Sequence, residues 1–496
     1  MSHTFAAALA SAVLILVSSG PRASAADLPA STTKGLELLK QGDGLADKKE
    51  TAEAVLRYKQ AFEQILPVMR GVGFRHEVKR DVTAREDLQK VLIQEFEEEM
   101  TPEELLAAEL GWKVFGLIPD SMDLKATMVK LYAEEIAAFY DPRTKTMHLI
   151  KETETPTKKA GLLEMLLGGG GGFSKEENKT VIAHELTHAL ADQNFDLTKL
   201  QEAAKGDDDR SLAVSSLIEG EATMTMMGAS MQDWDGKLIV ELPADDLDQT
   251  FSLMMPFLSI AGGKSLRSAP AILTESMIFP YLRGMIFCTK LANSGGWKAV
   301  DAAYRNPPLS TEQILHPEKY LAATLDRPTH IELGDLDPGS EWVERGRNVM
   351  GEMQTAILLK RENGKAASAG WDGDRFAVFQ HRDRTKDLAL VWATTWDSED
   401  DAREFLRAYL RYQTGKMEKG TPNPGAFPDS NRRPQGGEIF AVEKRGRDVV
   451  VVEGFASEVT ERLIESAFRA KKTEMTPEWL AAEAESKAKA KAKAEK

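Results

Sequence analysis

The chain has 496 residues, of which 42% are hydrophobic, and this is enough for two or three globular domains with large cores. The formal net charge of −15 argues against nucleic acid and against an anionic membrane surface as partners. Cys288 is the only cysteine, which excludes an internal disulfide, so the packed cores have to supply the stability.

The N-terminus has the pattern of a secretory signal peptide. Residues 6–17 form a short apolar run, and Ala23-Ser24-Ala25 has the small-residue spacing of a cleavage site. No Lys or Arg precedes the run, so an uncleaved anchor is the alternative, but the run is short for a bilayer span. We therefore predict removal of residues 1–25, export to the periplasm or the exterior, and no stable membrane span in the mature chain.

Residues 26–118 are predicted to form an N-terminal helical region. Apolar spacing predicts a helical hairpin over residues 34–69, broken at Asp43-Gly44. A short strand is expected at 78–82. A helix over 83–99 and another beginning after the capping residue Thr101 are expected to follow.

Residues 119–335 are predicted to hold the functional domain. The elements expected in its first part are a helix at 122–138, a turn at Phe139-Tyr140-Asp141-Pro142, a strand at 146–150, a glycine loop at 168–172, and a helix from the capping-box residue Ser174 to about Asn194. His148 alternates with Ile150 along the strand, and we interpret it as an ordinary exposed or capped histidine.

The helix that begins near Ser174 carries the pattern H-E-x-x-H at His184, Glu185 and His188. Because residues four apart lie on one helix face, both imidazoles can bind one metal ion. Glu185 then lies on the flank of that face, where it can reach a water beside the metal. The pattern therefore predicts a zinc hydrolase site.

A surface helix with two exposed histidines is the alternative explanation of the pattern. Apolar residues surround the motif, however, which indicates a buried helix. Burying two histidines and a glutamate without a partner would cost several kcal/mol, and a metal ion is the simplest partner.

Two histidines leave zinc short of a third protein ligand. The extended form with Gly and a third His is absent, so we look for a glutamate on a second helix. Glu219 and Glu221 are the candidates, and because they are two positions apart only one can face the metal. We choose Glu219, since Gly220 would let its helix approach His184 and His188 closely, and we interpret Glu221 as a neighbour of the ligands or as solvent-exposed.

Two more acidic stretches are interpreted from their positions. Asp192 lies one turn beyond His188, where it can orient a ligand imidazole or cap the helix end, and both interpretations stay open. Residues 207–210, Asp-Asp-Asp-Arg, are expected to form a surface loop between the two predicted helices.

These residues resemble the gluzincin group of zinc metallopeptidases, which share a two-histidine helix and a glutamate on a downstream helix. The resemblance implies His184, His188 and Glu219 as ligands of one Zn²⁺ ion and Glu185 as the general base. It also implies hydrolysis of peptide bonds in a peptide or protein substrate through a metal-activated water.

Longer stretches are similar to a poorly characterised family of exported proteins of the same type. The similar stretches are His184–Gln193, Ile218–Ala222, Phe139–Pro142 and Ser310–Tyr320, so the resemblance covers roughly residues 120–320. Enzymes of this kind use an additional hydrogen-bond donor for the oxyanion, and Tyr281 and His316 are the candidates. Packing for Tyr281 and turn capping for His316 are the alternatives.

The rest of the chain predicts a second, smaller domain. Helices are expected near 254–261, 277–292 and 298–304, and residues 336–475 then alternate between helix and strand patterns, including a helix at 347–361 and a tight turn at Trp371-Asp-Gly-Asp-Arg375. Residues 476–496 form an Ala/Lys/Glu-rich tail, expected to be a frayed helix or disordered.

The predicted fold class is α+β: an α-rich, zincin-like metallopeptidase domain with a small edge sheet, followed by a C-terminal α+β domain. The predicted function is that of an exported zinc metallopeptidase. The alternatives are a catalytically silent protein of the same fold, acting in binding or envelope assembly, and a zinc hydrolase of non-peptide amides. Glu185 argues against a silent protein, because a structural metal needs no water-activating base.

Overall fold

The computed structural model of the protein describes residues 28–84, 87–88, 90–91, 93–94, 100–135, 138–151, 175–261, 267–417, 430–435 and 438–494. It is a mixed α+β structure with a small sheet in its N-terminal half and a larger sheet in its C-terminal part. The predicted signal peptide, most of the helix expected at 83–99, the glycine loop at 168–172 and the capping residue Ser174 lie outside the described residues.

An N-terminal helical hairpin is formed by α1 (Ala30–Asp47) and α2 (Thr51–Arg70). The predicted break at Asp43-Gly44 is wrong, because α1 continues through both residues to Asp47. Asp43 accepts a hydrogen bond from the hydroxyl of Tyr58 at 2.9 Å, so packing between the two helices outweighs the local turn signal.

The small sheet contains three described strands in the order β1-β3-β2. They are β1 (Lys79–Ala84), β2 (Ala138–Asp141) and β3 (Thr146–Lys151), with α3 (Pro102–Phe115) and α4 (Leu124–Glu135) between β1 and β2. The turn predicted at Phe139–Pro142 is wrong for most of its length, because Phe139, Tyr140 and Asp141 pair with β3 in an antiparallel ladder. Among the described strands, β2 lies at one edge of this sheet, with β3 as its hydrogen-bonded neighbour.

A group of helices follows the small sheet. They are α5 (Lys175–Phe195), α6 (Leu197–Ala204), α7 (Asp208–Ser230), α8 (Lys237–Val240), α9 (Ala244–Ala261), α10 (Ala271–Gly295), α11 (Trp297–Arg305), α12 (Thr311–Leu315) and α13 (Pro317–Leu321). The surface loop expected at 207–210 is wrong: Asp207 caps α7, and Asp209 and Arg210 are only 2% and 4% exposed in its first turn.

Helix α10 is long and apolar enough, by length and composition, to cross a membrane, although the sequence predicted no stable membrane span in the mature chain. Its most apolar 18-residue window is 67% buried inside the protein. Residues such as Met285 and Phe287 pack in the hydrophobic core, which explains the apolarity of α10 as that of a central core helix.

The C-terminal part is built on a sheet with six described strands in the order β5-β6-β7-β10-β9-β8. Its elements are β5 (Trp342–Asn348), α14 (Gly351–Leu358), a 3₁₀ turn (Lys360–Glu362), α15 (Gly364–Ser368), β6 (Trp371–His381), β7 (Leu388–Trp396), α16 (Glu399–Met417), β8 (Ser430–Gln435), β9 (Glu438–Arg445), β10 (Asp448–Phe455) and α17 (Ser457–Phe468). One core lies between the sheet and α16, and another between the sheet and α17. A further strand, β11 (Lys471–Glu474), pairs with β4 (Thr329–Glu332), and α18 (Pro477–Ala494) follows it.

Two local predictions in this part are wrong. The helix predicted at 347–361 begins only at Gly351, because Trp342–Asn348 form β5. The tight turn predicted at Trp371–Arg375 is the start of β6, with an irregular pairing between Trp371 and Gly373. Asp374 is buried there and accepts hydrogen bonds from the backbone amides of Met350 and Gly351 and from the indoles of Trp371 and Trp392.

The N-terminal region and the C-terminal sheet are in direct contact. Phe115 of α3 packs edge-on against Phe376 and Trp392 of the larger sheet, at centroid distances of 5.3 and 5.0 Å. The tail is helical and attached, since Glu483 pairs with the buried Arg210 at 2.8 Å. The predicted domain boundaries stay predictions, but α3 and the tail each join regions that are distant in sequence.

Candidate metal centre

His184 and His188 project from the buried centre of α5. Ile182, Leu186 and Leu190 of this helix pack into the core shared with the N-terminal hairpin. The Nε2 atoms of the two imidazoles are 3.0 Å apart, and their rings are nearly perpendicular. The apolar residues therefore anchor the helix, and the one-turn spacing brings both imidazoles to one point.

Glu219 reaches the same point from α7. Its Oε2 lies 3.1 Å from Nε2 of His184 and 3.4 Å from Nε2 of His188. Both histidines are buried, whereas the Glu219 side chain is 23% exposed, so the centre opens towards solvent on the glutamate side. The structure thus brings together the three residues that the sequence nominated as ligands.

The spacing of these three atoms suits a zinc ion. Zinc bonds of about 2.0–2.1 Å at tetrahedral angles place neighbouring donor atoms about 3.4 Å apart. The measured separations of 3.0, 3.1 and 3.4 Å are close to this value. Two imidazoles and one carboxylate also form a donor set that leaves a fourth position for water or substrate.

The charges at the centre are strongly coupled. Burial by itself would lower the pKa of His188, but the Glu219 carboxylate outweighs burial and raises the pKa to about 9. In the same way burial would raise the pKa of Glu219, but His188 and His184 hold it well below its usual range. A positive charge is therefore favoured between these groups at neutral pH, supplied by a proton or by a metal ion.

Glu185 is only 3% exposed and lies beside the same group of atoms. Burial raises the pKa of its carboxyl, Glu219 acts in the same direction, and the two imidazoles and a hydrogen bond to the backbone of Tyr140 oppose the shift. Because Tyr140 belongs to β2, this bond links the edge of the small sheet, as far as the structure describes it, to Glu185, the predicted general base.

Tyr281 of α10 lies over the centre, with its ring centroid 6.0 Å from that of His184. Burial, Glu219 and Glu185 all raise the pKa of its hydroxyl well above the usual value, so it keeps its proton. A close approach of α7 and α10 sets this position, because a Cβ at Gly220 would overlap with the backbone of Gly284. The expectation that Gly220 brings α7 close to α5 is therefore wrong: its partner is α10.

The other oxyanion candidate, His316, has a different environment. It ends α12, and its Nε2 lies 2.9 Å from Oε1 of Glu352 in α14. A nearby acidic group, formed by Glu312, Asp326 and Asp397, is already bound by the ammonium of Lys319 at 2.6, 3.0 and 2.5 Å. His316 therefore belongs to a cluster of ion pairs beside the C-terminal sheet.

Asp192 is engaged away from the ligand imidazoles. Its carboxylate accepts hydrogen bonds from the hydroxyl of Tyr140 at 2.7 Å and from the amide of Leu197 at 3.2 Å, and it pairs with Lys145 at 2.8 Å. Of the two interpretations that the sequence left open, these contacts favour capping at the junction of α5 and α6. His148, as expected, lies elsewhere, stacked on Phe139.

Glu221 is neither solvent-exposed nor directed at the histidines. It is 1% exposed, pairs with Arg70 at 2.5 Å and accepts a hydrogen bond from the hydroxyl of Tyr304. Arg70 also pairs with Asp301 at 2.9 Å. Sequence reasoning missed this buried network, since Arg70 is 151 residues away from Glu221 and no local pattern links them.

Comparison with known proteins concerns mainly the C-terminal part. A family model described as a domain of unknown function (DUF8575) matches residues 341–464, which span β5 to most of α17. No curated protein and no solved structure matches the chain. The candidate ligands His184, His188 and Glu219 lie outside the matched residues.

Proposed function

We propose that the protein is an exported, zinc-dependent metallopeptidase of the gluzincin type, with a zincin-like fold over residues 119–335. The observation that carries the proposal is the meeting of three donor atoms, from His184, His188 and Glu219, at 3.0–3.4 Å from one another. The buried carboxylate of Glu185 beside them supplies the base that hydrolysis requires.

An extended peptide is the substrate class that the small sheet supports. The edge of β2 faces α5, because the backbone of Tyr140 is hydrogen-bonded to Glu185. An extended peptide can add to such a strand edge through backbone hydrogen bonds, which would hold a peptide bond beside the three donor atoms.

His184, His188 and Glu219 would hold the zinc ion, which when bound would act as a Lewis acid towards the substrate carbonyl and the attacking water. Glu185 would accept the proton of that water and return it to the leaving amine nitrogen. Its raised pKa makes it a stronger base than a surface carboxylate. Tyr281, which keeps its proton, would donate a hydrogen bond to the carbonyl oxygen as negative charge develops there.

Metal analysis combined with a casein and peptide-library assay tests the proposal. The wild type should contain one zinc ion per chain and cleave peptides. Glu185→Gln should keep the zinc and lose turnover by about 10²–10⁴-fold, because it retains the fold but cannot accept a proton. Glu219→Ala should lose both zinc and turnover. The exposed Glu53→Gln in α2 serves as the matched control and should change neither.

Two outcomes would overturn the proposal. Absence of zinc from the wild type would remove its basis. Stoichiometric zinc without turnover, unaffected by Glu185→Gln, would instead favour a catalytically silent binding protein.

A further inference from the structure

A cleft of about 880 Å³ extends between α7, β2 and the C-terminal sheet. Its wall includes Ser215, which lies one turn before Glu219 on the same face of α7. It also includes Tyr140, whose backbone is hydrogen-bonded to Glu185. The cleft therefore approaches the candidate metal centre at Tyr140 and Ser215, although the three candidate ligands are not among its lining residues, and it runs along α7 past Ser211 towards Asp208 at the start of that helix.

The far end of the cleft is formed by the C-terminal sheet, where Arg375 of β6 lies. Its guanidinium is half-buried and donates only long hydrogen bonds, to the carbonyl oxygens of Gly206 at 3.3 Å and Arg347 at 3.4 Å. Within the part of the chain that the structure describes, no carboxylate oxygen lies within 4 Å of it. Burial lowers the pKa of this guanidinium and Arg347 acts in the same direction, whereas the carboxylates of Asp207, Asp374 and Asp208 oppose the shift.

The carboxylates nearest to Arg375 are held by other donors. Asp207 caps α7 by accepting the amide of Arg210 at 3.0 Å, and Asp208 is hydrogen-bonded to Asn348. Asp374 accepts four hydrogen bonds from two backbone amides and two indoles. These groups offset part of the charge of Arg375. Its guanidinium, which lies against the cleft-lining residues Gly206 and Arg347, has five N–H groups and therefore keeps hydrogen-bonding capacity for a ligand.

The distance between the two ends of the cleft can be estimated from α7. Arg375 contacts Gly206, which lies two residues before the first residue of α7, Asp208. Glu219 lies eleven positions after Asp208 on the same helix. At 1.5 Å per residue the two points are about 16 Å apart. An extended peptide covers this distance with about five residues.

We infer that the cleft binds an extended peptide that carries a carboxylate about five residues from the bond held at the metal centre, and that Arg375 binds this carboxylate. The inference deepens the proposed peptidase function and depends on it for the position of the cleaved bond. It gives the C-terminal sheet a role in substrate selection. The carboxylate is either an acidic side chain or the C-terminus of the substrate.

Peptide binding to the zinc-loaded Glu185→Gln protein tests the inference without turnover. The probes are fluorescein-labelled twelve-residue peptides with one Glu at each successive position, the matching peptides with Gln, and each peptide with a free or an amidated C-terminus. Fluorescence anisotropy should show about tenfold tighter binding for one Glu position, or for the free C-terminus, because a hydrogen bond between two charged groups is stronger than one to an uncharged amide. The more favourable of the two arms identifies the source of the carboxylate.

Arg375→Gln, added to Glu185→Gln, should remove this preference and leave the affinity for the uncharged peptides within about twofold. Arg384→Gln is the control, since Arg384 follows β6 at its other end and is 59% exposed, and it should keep the preference. A purely structural role of Arg375 would instead weaken charged and uncharged peptides alike, which would overturn the inference.

Cleavage assays separate the inference from the proposed function. Turnover in the wild type with no carboxylate preference, or with a preference that Arg375→Gln leaves intact, would overturn the inference alone. Arg375-dependent binding without turnover in the wild type would support the carboxylate site and contradict the peptidase function.

Discussion

Glu219 and Glu221 stand two positions apart on α7 and lie in different chemical environments. Oε2 of Glu219 faces the two imidazoles at 3.1 and 3.4 Å, whereas Glu221 is bound by Arg70 and Tyr304. Positions two apart on a helix differ by about 200°, so the two carboxylates must point to opposite sides. Glu219 is therefore available to a metal ion, whereas Glu221 belongs to a buried network of ion pairs and hydrogen bonds.

At the residue scale, the charge of His188 makes metal binding depend on pH. Its pKa of about 9 in the metal-free protein means that a proton must leave before the imidazole can bind zinc. The apparent zinc affinity should therefore rise by about tenfold per pH unit between pH 6.5 and 9 and level off above pH 9. Competition with a chromophoric chelator at several pH values measures this.

The proton on His188, which competes with zinc, stabilises the folded protein when no metal is bound. Because the folded pKa is above the unfolded value, its stabilising contribution is complete below about pH 6.5 and is lost as the pH rises through 9. Glu219→Gln, which removes the carboxylate that raises this pKa, should move the stability profile of the metal-free protein towards pH 6.5. An affinity that stays constant between pH 6.5 and 9 would contradict the prediction.

At the scale of elements, the crossing of α7 and α10 positions the centre. Gly220 and Gly284 have no side chains, and this allows the backbones of the two helices to touch. The approach fixes Tyr281 of α10 above His184 while α7 presents Glu219 to it. A sequence pattern indicates that a glycine permits a close approach, but it does not identify the partner helix.

Gly220→Ala should separate these helices. Its Cβ would overlap with backbone atoms, which cannot move as a flexible side chain can, and overpacking of this kind costs about 1–3 kcal/mol. We expect a lower free energy of unfolding in urea and reduced turnover as Tyr281 moves away. Gly228→Ala in the same helix is the matched control, because its Cβ would crowd the flexible end of Met69 and would otherwise be in ordinary van der Waals contact with Ile239. Equal stability of the two variants would contradict the interpretation.

At the scale of the whole molecule, the centre lies where separate cores meet. α5 packs into the core of the N-terminal hairpin, while Leu217 and Ile218 of α7 pack into the core around α10. Arg70, at the end of α2, crosses this border and pairs with Glu221 of α7 and Asp301 of α11. The relative position of the two ligand-bearing helices therefore depends on the N-terminal region as well.

Removing one charge of this buried network should destabilise the protein. Glu221→Gln leaves the guanidinium of Arg70, whose side chain is 0% exposed, with Asp301 alone, and breaking a buried pair costs roughly 3–5 kcal/mol. Urea unfolding should detect this loss, and zinc content should persist in the fraction that is folded. The double variant Arg70→Met, Glu221→Met should recover only part of the stability, because neither of these two charges is then left buried alone, whereas Asp301, which is 13% exposed, loses its ion pair with Arg70. A loss of zinc without a loss of stability would contradict the assignment of Glu221 to the network.

Sequence patterns predicted the elements better than their connections. The helix at 175–195, the strand at 146–151 and most of the C-terminal strands agree with the periodicity of their residues. The turn signals at Asp43-Gly44, Phe139–Pro142 and Trp371–Arg375 each failed, since contacts with residues outside each predicted turn outweighed the local preference. Local propensity is weak compared with such tertiary contacts.

The spacing of His184, Glu185 and His188 determined by itself that two imidazoles leave one helix face with a carboxylate beside them, because helical periodicity is a local property of the backbone. Only the tertiary structure decided that Glu219 meets the imidazoles while Glu221 pairs with Arg70, that Tyr140 lies on the strand beside Glu185, and that Arg375 lines the cleft. These relations depend on helix crossings and on sheet pairing between residues far apart in the chain. The physical reason is that helical periodicity is a local property, whereas the packing of a core depends on all of its side chains together.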